Sequence, residues 1–85
     1  MNKKDFIAKL AEHLVNTNSR MSLGELATHL NRNGYRNDAG KRYKRSRGVG
    51  RLLKTTYDYF DKQGKTIEAN NVAQAFVKED GSYAY

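Results

Sequence analysis

Apolar side chains recur every three or four residues along most of the chain, which is the spacing of an α-helix with one buried face. Three such stretches predict helices over about residues 4–16, 22–33 and 46–63, and a shorter stretch favours a fourth helix over roughly 67–75. The predicted apolar face of the third helix consists of Val49, Leu52, Leu53, Thr56, Tyr57 and Phe60. The pattern therefore predicts a mainly α domain of three to four helices.

Capping and turn residues mark where these elements begin and end. Ser22 is followed three residues later by Glu25, which is the capping-box spacing at a helix start. Gly34 follows the second helix and suits a residue with positive φ just past a helix end. Asp80 and Gly81 are a two-residue turn signal, so a C-terminal β-hairpin is predicted over about residues 76–85.

The positive charge of the chain is concentrated in residues 31–54. This stretch has nine Lys or Arg and one acid, Asp38, for a net charge of +8, whereas the whole chain has a net charge of +7. The remainder is therefore nearly neutral. Because crowded like charges repel one another in a compact fold, such a segment is typical of proteins with an anionic partner, and nucleic acid is the first candidate.

Length and composition exclude several classes of protein. With 85 residues, the chain is expected to form a single domain over residues 1–85 that is too small to enclose a large cofactor. It has no Cys, hence no thiolate metal ligand, which fits a cytoplasmic location. Its apolar runs are too short for a membrane span or a signal peptide. We therefore expect no cofactor, no metal and no membrane association.

The third predicted helix has a basic side opposite its apolar side. Arg47, Arg51 and Lys54 recur at about one-turn intervals and are predicted to contact a DNA major groove, whose base edges offer hydrogen-bond acceptors. Three helices, the third of them basic, followed by a hairpin, is the element order of a winged helix-turn-helix domain. The sequence therefore predicts a domain of this type, with residues 46–63 as the recognition helix.

A basic loop over residues 35–45 precedes this helix and is predicted to contact phosphates, which fix the register on DNA without reading its sequence. The predicted phosphate contacts are Arg36, Lys41, Arg42, Lys44 and Arg45. Tyr35 and Tyr43 lie among these cations and either donate hydroxyl groups to phosphates or pack the loop onto the protein. Gly48 and Gly50 are poor helix formers near a helix start, which suggests close approach of the backbone to a phosphate.

Patterns that indicate catalysis are nearly absent. His13 and His29 each lack the second ligand at helical spacing that a metal site requires. Asp58 and Asp61 share one side of the third helix, an arrangement that occurs in Mg²⁺-dependent nucleases but is also common in ordinary helices. No activated Ser nucleophile is visible. We therefore expect a binding protein rather than an enzyme.

Residues 26–53 resemble the DNA-binding "recombinase" region that follows the catalytic domain in large serine recombinases. The matching positions are Leu26-Ala27, Leu30-Asn31, Gly34-Tyr35-Arg36, Gly40-Lys41-Arg42-Tyr43, Val49 and Leu52-Leu53. The resemblance implies DNA contact by the loop from Arg36 to Arg45 and by the helix with Arg47 and Arg51. It does not imply strand cleavage, because the chain has no catalytic serine domain. The link before the third helix is also longer than the three or four residues of a simple helix-turn-helix.

The leading hypothesis is a non-catalytic DNA-binding protein, either a small transcriptional regulator or a recombination accessory factor. Its helix 46–63 and loop 35–45 are expected to dock on duplex DNA, and the protein is expected to be a monomer or a weak dimer. Two alternatives stay open. Clustered Arg with Tyr also suits an RNA-binding, ribosome-associated protein. A protein-interaction module would instead use the basic loop to bind an acidic partner or a phosphorylated peptide.

Overall fold

The computed structural model describes residues 2–44, 48–78 and 80–83. The elements in chain order are α1 (Lys3–Asn16), β1 (Met21–Ser22), α2 (Leu23–Arg32), α3 (Val49–Lys62), α4 (Thr66–Ala75) and β2 (Phe76–Val77). The prediction of a mainly α-helical fold is confirmed, and the fourth helix is present.

The ends of α2 form as the local sequence predicts. The Ser22 hydroxyl accepts a hydrogen bond from the Glu25 backbone N–H at 3.1 Å, which satisfies a donor that has no partner within the helix. At the other end Gly34 has a φ of +82°. The backbone N–H of Tyr35 donates to the carbonyl of Leu30 at 3.0 Å, the bond that defines a Schellman motif.

The core joins all four helices and the last strand. Helix α4 packs against both α1 and α3, and α2 packs against α3. Among the fully buried side chains are Ile7, Leu26, Leu30, Leu53, Val72 and Phe76. Burial of each such side chain contributes about 1.5–3 kcal/mol to folding. Thr56, a polar residue on the predicted apolar face, is buried and donates its hydroxyl to the Leu52 carbonyl at 2.7 Å.

Strands β1 and β2 form a short parallel pair that returns the chain to the start of α2. Met21 lies opposite Phe76, and Ser22 lies opposite Val77. Phe76 is fully buried, so this pairing also anchors the C-terminal segment in the core. The sequence does not predict this contact, because a strand of two residues is too short to show the alternation of apolar and polar side chains that indicates a strand.

The chain reverses after β2, close to the predicted turn. The backbone N–H of Lys78 donates to the Ser82 carbonyl at 2.7 Å, and Val77 and Tyr83 form one antiparallel bridge. Hydrogen bonds from the Ser82 hydroxyl and backbone N–H hold the pKa of the Asp80 carboxyl below its usual range. Among residues 76–78 and 80–83 the antiparallel contact is this single bridge, so a hairpin over 76–85 stays a prediction.

The start of α3 differs from its prediction. The sequence places it at Ser46, whereas the helix begins at Val49. Gly48 has a φ of +79°, in the left-handed region, and a right-handed helix cannot continue back through that conformation. Ser46 and Arg47 lie outside the described residues.

The two glycines at this helix start are expected to respond oppositely to alanine. Gly48→Ala places a Cβ in the left-handed region, so we expect it to lower the free energy of unfolding by about 1–2 kcal/mol. In Gly50→Ala the new Cβ meets only Leu23 Cδ1, at 3.9 Å, an ordinary van der Waals contact. The gain in helix propensity should then raise the free energy of unfolding by about 0.5–1 kcal/mol. Urea unfolding midpoints at constant slope measure both changes.

Candidate nucleic-acid interface

The loop between α2 and α3 is tethered to α2 by the side chain of Asn31. Its Oδ1 accepts from the backbone N–H of Tyr43 at 2.8 Å, and its Nδ2 donates to the backbone carbonyl of Tyr43, also at 2.8 Å. Both backbone groups of Tyr43 are therefore satisfied by one side chain, and the residue is only 7% exposed. Of the two roles considered for Tyr43, packing the loop onto the protein is the one observed.

Lys3 at the start of α1 holds the same loop from the other side. Its Nζ donates to the Tyr43 hydroxyl at 2.6 Å and to the Arg36 carbonyl at 2.5 Å. The hydroxyl of Tyr43 in turn donates to the Arg36 carbonyl at 3.3 Å. Residues 36 and 43 are thus joined across the loop and fixed to α1.

The tip of the loop is closed by Asn37. Its Oδ1 accepts from the backbone N–H groups of Ala39 and Lys41, each at 2.9 Å. The backbone N–H of Asn37 donates to the Lys41 carbonyl at 2.8 Å. Residues 36–43 of the loop therefore have a defined backbone path despite the charge of the loop and the exposure of its tip.

Five predicted contact residues are exposed on this framework. They are Lys41, Arg42 and Lys44 on the loop and Arg51 and Lys54 on the first two turns of α3, and we call them the exposed cations. Residues 39–57 contain no acid. The opposite side of α3 is buried, as the helical spacing predicts. The exposed cations therefore all belong to a stretch of sequence that contains no acidic residue.

Of the three other predicted contact residues, the structure describes Arg36. Arg36 is half-buried, and its Nη1 donates to the backbone carbonyls of Tyr35 at 2.8 Å and Asn31 at 3.3 Å. A positive group at these carbonyls stabilises the C-terminal end of α2. Arg36 therefore supports the loop with at least part of its guanidinium group. Arg45 and Arg47 lie outside the described residues.

The N-cap residue of α3 is Gly48, which has no side chain to accept a hydrogen bond from the helix, and the first turn of the helix has no acid. The first backbone N–H groups of a helix have no partner within it, so this end is electropositive and favours an anion. Gly48 provides the left-handed conformation at the N-cap, and Gly50 packs near Leu23 of α2. The left-handed conformation gives Gly48 a structural role, whereas there is room for a Cβ at Gly50, and the phosphate approach predicted for both glycines stays a prediction.

A groove of about 660 Å³ lies where the N-terminal ends of α1 and α3 meet the loop tip. Lys4 and Arg51 line it, together with Asn2, Asp38 and Gly48. Sequence reasoning missed Lys4, which lies far from the basic segment. A signal was present, since cations in the first turn of a helix oppose its dipole and indicate another role for Lys3 and Lys4.

Few features of the described residues indicate a catalytic site. Within residues 2–44, 48–78 and 80–83, no group of three or more His, Asp or Glu side chains is arranged to hold a metal ion. His13 is exposed and His29 is half-buried. None of the helices in the described ranges is long and apolar enough to cross a membrane.

No protein-family model, curated protein or solved structure matches this chain. The resemblance of residues 26–53 to serine recombinases and the assignment to winged helix-turn-helix domains therefore stay predictions. Any functional conclusion depends on the geometry and charge of the site itself.

The Asn31 tether can be tested by its removal. Asn31→Ala leaves the backbone N–H and carbonyl of the buried Tyr43 without partners, so we expect the free energy of unfolding to fall by about 1–3 kcal/mol. For a domain of this size each kcal/mol lowers the melting temperature by about 4–8 °C. Asn70→Ala, on the exposed side of α4, is the matched control and should change the stability by less than about 0.5 kcal/mol. Equal melting temperatures for the two variants would contradict an energetic role for the tether.

Proposed function

We propose that this domain is a non-catalytic duplex-DNA-binding module of winged helix-turn-helix type, serving as a transcriptional regulator or a recombination accessory factor. The observation that carries the proposal is the tethering of a highly positive loop. Like charges at short range repel one another, and an untethered loop would lower that repulsion by spreading out. Asn31, Lys3 and Tyr43 instead attach residues 36–43 of the loop to α1 and α2.

A fixed array of cations favours binding to a partner whose negative charges are regularly spaced. Ordering a loop in advance removes part of the entropic cost of binding, so affinity rises without any new contact. Duplex DNA presents phosphates at a constant spacing along its backbone, and a preformed set of Lys and Arg suits such a ligand. The exposed cations on the loop are therefore assigned to phosphates.

Arg51 and Lys54 have a different position from the loop cations. They extend from a regular helix whose opposite side is buried in the core. Rigid helices place side chains accurately enough to read base edges, which flexible loops do less well. We therefore assign base contacts to Arg51 and Lys54, and phosphate contacts to Lys41, Arg42 and Lys44.

The proposal predicts a steep salt dependence of binding. If five to eight phosphates are neutralised, the logarithm of the association constant should fall against the logarithm of salt concentration with a slope of about −4.5 to −7. Fluorescence anisotropy with a labelled duplex over a salt series measures this slope. A flat titration, or no binding to any duplex, would remove the proposal. Tighter binding to structured RNA in competition would favour the RNA-binding alternative.

The two classes of contact predict different mutant behaviour. Lys41→Ala should weaken binding to all duplexes about equally and reduce the salt slope by about 1. Arg51→Ala should in addition change sequence preference, with an effect of about 1–3 kcal/mol at the base pair it reads. Selection from random oligonucleotides with each variant measures the preference. If both variants keep the parent preference, the assignment of base contacts to α3 is wrong.

A further inference from the structure

The groove between the N-terminal ends of α1 and α3 combines three features that favour an anion. It is lined by Lys4 from α1 and by Arg51 from α3. Gly48, which also lines it, is the N-cap residue of α3, and the first backbone N–H groups of a helix have no partner within the helix. Its volume of about 660 Å³ is within the range of small-molecule sites, which leaves ample room for one phosphodiester segment.

Lys4 is held at this groove by a contact with α3. Its Nζ lies 5.2 Å from the centroid of the Tyr59 ring, a distance typical of a cation–π interaction. The neighbouring Lys3 is already bonded to the Arg36 carbonyl and the Tyr43 hydroxyl. Lys3 lines the groove as well, so a ligand there would meet both α1 cations, of which Lys3 also holds the loop.

The charge along α3 indicates which part of this helix faces DNA. Arg51 and Lys54 lie in its first two turns, and its first turn has no acid. Asp61 is exposed in the last turn, and helical spacing puts it on the same side as Lys54. A helix lying lengthwise along a groove would bring this carboxylate close to phosphates. Contact through the N-terminal end avoids that repulsion.

We infer that one strand of the DNA backbone lies in this groove and that α3 docks by its N-terminal end rather than along its length. Lys4 and the first backbone N–H groups of α3 hold a phosphate, while Arg51 at the groove edge reaches the adjoining base pairs. This inference rests on the proposed function and adds α1 to the DNA-contacting surface. It differs from the sequence prediction of a helix docked over residues 46–63.

A matched pair of lysine variants tests the docking geometry. Lys4→Gln and Lys62→Gln remove the same charge with the same change in side-chain length, one at the groove and one in the last turn of α3. We expect Lys4→Gln to weaken duplex binding about five- to tenfold at about 0.1 M salt and to reduce the salt slope by about 0.9. Lys62→Gln should leave both the affinity and the slope unchanged.

A charge change of the opposite sign at the same groove gives an independent readout. Asp38 is exposed and lines the groove, so its carboxylate repels a bound phosphate. Asp38→Asn should therefore tighten duplex binding about two- to fivefold, an effect that damage to the fold would not produce. Melting temperatures close to that of the parent protein would show that all three variants are folded.

The outcomes distinguish failure of this inference from failure of the proposed function on which it rests. Suppose that the parent protein binds duplex with a steep salt slope. If Lys4→Gln then binds with the parent affinity, or if Lys62→Gln weakens binding as much as Lys4→Gln does, end-on docking is wrong and DNA binding stands. If the parent protein binds no duplex, both fail.

NMR titration of the parent protein provides a check without variants. Amide shifts confined to the first turns of α1 and α3 and the loop tip support the inference, and equal shifts over residues 58–62 contradict it.

Discussion

The pair of hydrogen bonds between the Asn31 side chain and the backbone of Tyr43 fixes the positively charged loop to α2. Together with the contacts of Lys3 and the bond from Arg36 to the Asn31 carbonyl, it opposes the repulsion among the cations of the loop between α2 and α3. A neutral amide suits this role, because it satisfies a backbone donor and a backbone acceptor at once without adding charge. The burial of Tyr43 then turns a local tether into a contact with the core.

The tether also connects the charged surface to the stability of the helices. Asn31 belongs to α2, which places Leu26 and Leu30 in the core, so the loop position depends on the packing of α2. Lys3 links the loop to α1 at the same point, and α1 packs against α4. Apolar packing therefore provides the rigidity, and polar contacts at the edge of the core transfer it to the loop.

Local patterns predicted the elements well, and non-local contacts were not predictable from them. The amphipathic faces, the Ser22 cap and the Gly34 terminus depend on residues within one or two turns, so their spacing is sufficient. The start of α3 was misplaced because the left-handed conformation of Gly48 depends on the path of the loop. The pairing of Met21 with Phe76 and the bonds of Asn31 with Tyr43 join residues that no short pattern relates. Exposure of Arg51 and Lys54 followed from helical spacing, whereas the position of Lys4 near α3 depends on the packing of both α1 and α3 against α4.

The formal net charge counts cations that the fold itself uses as well as those that a ligand can bind. Arg36 contributes to the net charge of the basic segment, yet its Nη1 bonds to backbone carbonyls at the end of α2. Lys3 likewise bonds within the fold, although it lines the open groove together with Lys4. The fold thus divides its cations into those that stabilise the loop and those that extend from it. Because only the second group can exchange its counterions for phosphates, the salt dependence of binding should reflect that group rather than the net charge.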